Sequence, residues 1–147
     1  MSIKYIRKDL QEIQNNPIAG VTVSEGGNDV FEWIVTISGP EDTPYAGGDF
    51  YLKFSFPIDY RFRPPVVTFI SKIYHPNVDV NGRFLIKNLE GWSPDTTARS
   101  LICAIISVLK TPELENALSP KIAEVYRESR EVYQQNAREW TAKYASN

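Results

Sequence analysis

The chain has few residues that could act as a nucleophile or a general base. Cys103 is its one cysteine and His75 its one histidine. Cys103 falls within a helical pattern beside Ile102 and Ile106, where a cysteine packs as a small buried hydrophobe with no base to activate its thiol. His75 lies in an irregular segment without a serine or cysteine elbow, so a histidine that hydrogen-bonds this segment to itself is favoured over a general base. These residues alone predict no catalytic constellation.

Other familiar chemistries lack their residues as well. The pairs Gly26-Gly27 and Gly47-Gly48 have neither the spacing nor the following helix of a phosphate-binding loop. Glu41-Asp42 and the pair Glu113 and Glu115 are typical of solvated loop charges. One histidine and one cysteine are too few for a structural zinc site. We therefore expect no metal and no cofactor.

Composition restricts the class of protein further. The chain has 147 residues, of which 42% are hydrophobic, and this predicts one folded domain over residues 1–147. A net charge of −2 argues against a general nucleic-acid binder. No apolar run has the length of a signal peptide or approaches the roughly 18 residues of a membrane helix, and a single cysteine suits a reducing compartment. We expect a protein of the cytoplasm, the nucleus or both.

The hydrophobic periodicity places these residues on predicted elements. Apolar residues at spacings of three and four predict a first helix, with Asp9 among the intervening polar positions, that ends at Asn15-Asn16-Pro17. Alternating patterns then predict antiparallel strands in a meander, beginning near Val21. The apolar positions are Ile3, Ile6, Leu10 and Ile13 in the helix, and Phe31, Trp33, Val35, Ile37, then Phe50, Leu52, Phe54, Phe56, then Val66 to Ile70 in the strands.

The second half of the chain reads as a long irregular segment followed by helices. Ser71 to Trp92 carry no clean period, and long ordered loops are usually functional. Ser93-Pro94 predicts a helix start, and Ser119-Pro120 a second one with a break near Ser129. The apolar positions of this last region are Ile122, Val125, Val132, Ala137, Trp140 and Tyr144. Helix, sheet, irregular segment and helices together predict an α+β domain.

Several motifs in one order carry a resemblance to a known family. They are Phe62-Arg63-Pro64-Pro65, Tyr74-His75-Pro76-Asn77, Trp92-Ser93-Pro94 and Ala137-Arg138-Glu139-Trp140-Thr141. The chain resembles the ubiquitin-conjugating enzyme family, and is closest to the small members that consist of the core domain only. This resemblance implies an N-terminal helix, a four-stranded antiparallel meander, an active-site segment, a central helix and C-terminal helices.

The resemblance also locates the position of the family's nucleophile. In the family a cysteine lies eight residues beyond the asparagine of the His-Pro-Asn motif, and here that position is occupied by Leu85. An isobutyl group has no lone pair with which to attack a ubiquitin thioester. The resemblance therefore implies a site without the thioester-forming residue.

Neighbouring residues of the implied site also depart from the family pattern. Lys87 stands where close relatives carry an acid, Asn116 replaces the acid of the facing loop, and one residue is missing between Leu85 and Trp92. Asn77, by resemblance the oxyanion stabiliser, remains. An asparagine in this motif also braces the loop through backbone hydrogen bonds, and we favour that structural role.

Partner surfaces are implied by the same resemblance. RING and U-box ligases would dock on the first helix and two loops, where Lys4, Lys8, Phe62 and Pro94 match the family pattern and Tyr5, Arg61 and Asp95 depart from it. Thr22 sits where close relatives carry a serine at the centre of a weak, non-covalent ubiquitin site, although a threonine chosen for strand propensity explains it equally well.

The sequence leaves three interpretations of function. The favoured one is a pseudoenzyme: a ubiquitin-conjugating enzyme variant that modulates ubiquitylation by non-covalent binding to a ligase, an active conjugating enzyme or ubiquitin. The first alternative is an ordinary conjugating enzyme represented in a Cys-to-Leu form, which predicts an otherwise normal site. The second is a structural subunit of a larger assembly, which would require a large exposed apolar patch.

Overall fold

The computed structural model describes residues 2–146, including every side chain among them except that of Asn88. A first helix, a sheet, an irregular segment and further helices follow one another, so the predicted α+β order is confirmed. The elements are α1 Ser2–Asn15, β1 Val21–Gly26, β2 Asp29–Ser38, β3 Asp49–Ser55, β4 Val66–Phe69, α2 Lys87–Glu90, α3 Ala98–Lys110, α4 Pro120–Glu128 and α5 Arg130–Tyr144, with a 3₁₀ turn at Leu114–Asn116.

The sheet is the predicted antiparallel meander, in which sequential strands are neighbours in the order β1-β2-β3-β4. Trp33 pairs with Phe54 and Val35 with Leu52, which brings the apolar residues of β2 and β3 to one face. These four side chains are fully buried. The two-residue alternation of the sequence therefore sets which face covers the core.

Helix α1 packs on the core through Ile6, Leu10 and Ile13. Two details differ from the prediction. Ile3, expected on the apolar face, is exposed, whereas Asp9, expected on the polar face, is only 4% exposed. Asp9 lies three residues after Ile6 and four before Ile13, so the helical period itself turns its carboxylate inward.

Helix α3 begins later than the Ser93-Pro94 signal predicts. Its N-cap is Thr97, whose hydroxyl accepts a hydrogen bond from the backbone N–H of Ser100, while the Ser100 side chain accepts one from the N–H of Thr97. This capping box satisfies two free backbone donors at once and outweighs the preference of proline for the first helical turn. Ser93 and Thr96 instead close a turn ahead of the helix.

The C-terminal helices form as predicted, but with a different buried stripe. Pro120 begins α4, and Ser129 ends it and caps α5, as the expected break requires. Ala137 is buried as expected, together with Tyr133 and Thr141, whereas the expected Val132, Trp140 and Tyr144 are exposed. A Cβ on Gly48 would lie 2.6 Å from Thr141 Cγ2, so the absence of a side chain at position 48 lets α5 pack closely against the start of β3. Within residues 2–146, none of the helices is long and apolar enough to cross a membrane.

Candidate functional site

The irregular segment between β4 and α3 is held against the core by His75. The backbone N–H of Asn77 donates to His75 Nδ1 at 3.0 Å, so Nε2 carries the ring proton and donates to the Val108 carbonyl at 2.9 Å. Complete burial lowers the pKa of His75 to about 4, which keeps the ring neutral. Both ring nitrogens are occupied, and this geometry supports the structural role over that of a general base.

The Asn77 side chain ties this segment to the loop that follows α3. Its Nδ2 donates to the Glu113 carbonyl at 2.9 Å and more weakly to the Leu85 carbonyl at 3.5 Å, and its Oδ1 accepts from the Glu113 N–H at 3.0 Å. An amide has two donor hydrogens. Both are therefore engaged in bracing the two loops, and neither points free toward a reacting group.

Leu85 is presented to the surface by a short extended stretch. Phe84 and Ile86 on either side of it are buried, so the alternation of an extended backbone turns Leu85 outward, where it is half-buried. The Leu85 N–H donates to the Asn77 carbonyl at 3.3 Å. Gly82 makes the preceding turn possible, since its φ of +85° and its approach to the Phe69 carbonyl exclude a side chain.

Lys87 lies between two carboxylates that the sequence predicts as solvated loop charges. Its backbone N–H donates to Glu113 Oε1 at 2.8 Å, and its Nζ lies 3.3 Å from Glu115 Oε2. Glu115 remains exposed, but both acids contact Lys87 beside Leu85, at the catalytic groove that the family resemblance implies, and no local pattern could reveal this because the contacts join segments 26 or more residues apart. The buried Asn116 Nδ2 has no hydrogen-bond partner among residues 2–146.

The predicted ligase-binding residues lie above a buried hydrogen-bond network centred on Asp9. Lys4, Lys8, Phe62 and Pro94 are all exposed, and Phe62 is 73% exposed. Beneath them Asp9 accepts hydrogen bonds from Arg61 at 2.5 Å and from the Tyr60 hydroxyl at 2.6 Å, with the Ala98 N–H at 3.4 Å. Burial and the neighbouring Asp9 raise the pKa of Tyr60, which keeps its hydroxyl protonated.

This network joins three separate segments of that surface. Asp9 belongs to α1, Arg61 to the loop before β4, and Ala98 begins α3. The indole N–H of Trp92 donates to the Arg61 carbonyl at 2.8 Å, which adds the loop before α3. Sequence reasoning missed Asp9, although its position on the buried period of α1 was a usable signal.

Thr22 lies on the edge strand β1, on the face of the sheet that points to solvent. It is exposed on β1, and its partner across the ladder is Thr36, which in turn pairs with Tyr51. The three side chains form one row on the sheet face opposite the buried one. A partner that binds at Thr22 would also meet Tyr51, which is 47% exposed.

Cys103 departs from the sequence prediction. It lies in the middle of α3, as expected, but it is exposed and not packed in the core. The residues buried on α3 include Leu101, Ile102 and Ile105, so position 103 falls on the opposite side of the helix. A solvent-accessible thiol is therefore present outside the groove.

Comparison with known proteins agrees with this arrangement. The family model described as ubiquitin-conjugating enzyme matches residues 5–141. Among solved structures, the crystal structure of a Plasmodium yoelii protein provisionally described as a ubiquitin conjugating enzyme superposes with a TM-score of 0.91 at 30% sequence identity, covering 99% of this chain and 96% of that one. The sequence match and the structural match both extend over nearly the full length of the chain. The chain therefore belongs to the ubiquitin-conjugating enzyme family.

Proposed function

We propose that this chain is a catalytically inactive member of its family that modulates ubiquitylation by non-covalent binding. The observation that carries the proposal is Leu85, which occupies the position of the family's nucleophile and offers no atom that could form a thioester. A half-buried leucine at that point instead presents an apolar surface.

The surroundings of Leu85 support the proposal. Asn77 donates both amide hydrogens to the backbone carbonyls of Leu85 and Glu113. Stabilising an oxyanion would therefore require breaking a hydrogen bond that holds the loop. Lys87 brings a positive charge beside the groove and pairs with Glu115. A carboxylate engaged by this ammonium group is poorly placed to orient an incoming lysine.

Family membership implies that ligases and ubiquitin are the general partners. On the ligase side, the exposed Lys4 and Lys8 make no ion pair with any described residue, and Phe62 offers an exposed aromatic anchor of the kind that dominates interfaces. Arg61 turns inward to Asp9 and lies 4.8 Å from the Tyr5 ring. The predicted ligase-binding face therefore keeps its lysines and its aromatic anchor, while Arg61 and Tyr5 are engaged in contacts within the chain. This combination favours a restricted set of ligases.

The direct test is thioester formation. Incubation with activating enzyme, ATP and ubiquitin should give no thiol-sensitive adduct on a non-reducing gel, because the chain lacks a nucleophile in its groove. The matched variant Leu85→Cys should form at most a weak adduct with slow transfer to lysine, because the Asn77 amide is bound to the backbone of Glu113 and Leu85 and Lys87 is paired with Glu115. An active conjugating enzyme serves as the positive control.

The exposed Cys103 requires its own control in that assay. Both the natural chain and Leu85→Cys are therefore also examined with Cys103→Ser. A thiol-sensitive band on the natural chain would contradict the proposal, and its loss in Cys103→Ser would identify that thiol as the acceptor. Normal transfer by Leu85→Cys would show that the groove remains competent.

A second prediction concerns ubiquitin binding on the outer sheet face. If the row of Thr22, Thr36 and Tyr51 contacts ubiquitin, the affinity should be weak, about 100 μM, because a small polar face buries few anchors. Thr22→Arg should abolish the contact without unfolding the domain, since its side chain is exposed on a strand. NMR titration of labelled ubiquitin measures this. Thr111→Arg, an exposed change outside the sheet, is the matched control, and shifts that survive Thr22→Arg would place the contact elsewhere.

A further inference from the structure

A concave surface lies where the sheet meets the C-terminal helices. We call it the Trp140 pocket, a cavity of about 350 Å³ formed where the end of β4, the turn 79–82, the start of α4 and the end of α5 meet. Its lining includes the side chains of Ile70, Lys72, Val80, Ile122, Trp140 and Tyr144. The pocket shares no residue with Leu85, Lys87 or the predicted ligase-binding set.

The rim of the Trp140 pocket is apolar and exposed. Val80 is 97% exposed and Ile70 57% exposed, and more than a third of Trp140 and Tyr144 is accessible. Val80 sits at the tip of the turn that Gly82 completes, where a β-branched side chain gains neither packing nor strand propensity. Exposed apolar side chains gathered around one concavity are typical of a protein-binding site.

Two lysines lie beside the aromatic wall of the pocket: Lys72 belongs to its lining, and Lys143 contacts the Tyr144 ring from outside the lining. Lys72 Nζ and Lys143 Nζ lie 5.0 Å and 5.2 Å from the centre of the Tyr144 ring, and neither is within 4.0 Å of a carboxylate in the part of the chain that the structure describes. Asp79, the acid in the lining, accepts the N–H groups of Asn81 and Arg83 at 2.9 Å through Oδ1 alone, so this oxygen stabilises the turn while the carboxylate keeps its negative charge. Among residues 2–146, these two ammonium groups have no carboxylate partner beside the aromatic wall.

We propose that the Trp140 pocket binds an acidic segment of a partner protein, which inserts one aromatic or branched apolar side chain and places its carboxylates on Lys72 and Lys143. The volume suits one or two side chains, and the flanking ammonium groups supply charge complementarity. The lining shares no residue with the predicted ubiquitin-binding row or with the predicted ligase-binding set.

Two other occupants fit the pocket less well. A symmetric contact with a second copy would bring the same patch of both chains together and oppose lysines to lysines. An anionic membrane would also attract the lysines, but membrane binding uses an apolar face that protrudes into lipid, whereas Trp140 and Tyr144 line a concavity.

A displayed library of random twelve-residue peptides, selected on the intact chain, tests the proposal. Enriched peptides should combine an aromatic or branched apolar residue with at least two nearby acidic residues. Val80→Asp and Lys72→Glu should each weaken the best peptide at least tenfold, because the first places a charge on the apolar rim and the second repels the carboxylates. Val66→Asp is the matched control, since Val66 is also exposed but lies outside the pocket, and it should leave binding unchanged.

NMR spectra of the labelled chain check the fold of each variant and locate the contact. Shifts centred on Gly82 and the Trp140 indole would support the proposal. It would be overturned by a selection that enriches nothing, by enriched peptides without acidic residues, or by equal losses in Val66→Asp and Val80→Asp. Shifts at the pocket that appear only with phosphatidylserine vesicles, or a dimer that Val80→Asp dissociates, would equally replace it by a membrane or a self-association site.

Discussion

Replacing Asp9 by alanine is expected to lower the free energy of unfolding by about 3 kcal/mol. The Asp9 carboxylate is almost fully buried and accepts hydrogen bonds from Arg61 and Tyr60. Its removal leaves a largely buried guanidinium and a buried hydroxyl without their acceptor, and an uncompensated buried charge costs far more than an exposed pair contributes. Urea unfolding followed by tryptophan fluorescence would measure the loss as a lower midpoint.

The loop before β4, which carries Arg61, supplies a matched control for the Asp9 experiment. Asp59 and Arg63 form an exposed ion pair at 2.8 Å, so Asp59→Ala removes an Asp–Arg pair that water already screens and should change the midpoint little. The double variant Asp9→Ala with Arg61→Met removes both buried charges and should recover part of the loss. If Asp9→Ala cost no more than Asp59→Ala, the buried network would not stabilise the fold more than an exposed ion pair does.

The elements that sequence predicts best here are those fixed by local periodicity. The strands and their buried faces follow from the alternation around Trp33 and Phe54, because a half-buried sheet tolerates no other register. The helix break at Ser129 follows from local capping chemistry. The predicted start of α3 at Ser93-Pro94 is wrong because two local signals compete, Pro94 and the capping box at Thr97.

The candidate site was harder to predict because its contacts span distant segments. Residue identity alone showed that Leu85 cannot form a thioester, but it did not show that Asn77 holds Glu113, or that Lys87 meets Glu115. Glu113 and Glu115 carry no local pattern that separates a groove from solvent. Asp9 is different, because a carboxylate at a buried position of α1 requires a hydrogen-bond donor or a cation beside it, and this requirement can be inferred from the sequence.

His75 should make the stability of this protein fall in mild acid. In the folded chain its pKa lies near 4, whereas the exposed imidazole of the unfolded chain titrates near 6.5. The folded state therefore keeps its full advantage above pH 6.5, and loses it as the pH falls toward 4, because the unfolded state takes up a proton that the buried ring refuses. Linkage gives a loss of about 2 kcal/mol between pH 7 and pH 5.

The single histidine makes the His75 prediction easy to isolate. His75→Asn should be less stable at pH 7, because it gives up the hydrogen bond to Val108, yet its stability should stay nearly flat between pH 7 and pH 5. Carboxylates titrate mainly below this window and affect both proteins alike. Parallel losses in the two proteins would contradict the assignment. Should the variant fail to fold, the ¹³C shift of the His75 ring in the natural chain decides the matter, since a midpoint near 6.5 would mean that the ring is not held neutral between Asn77 and Val108.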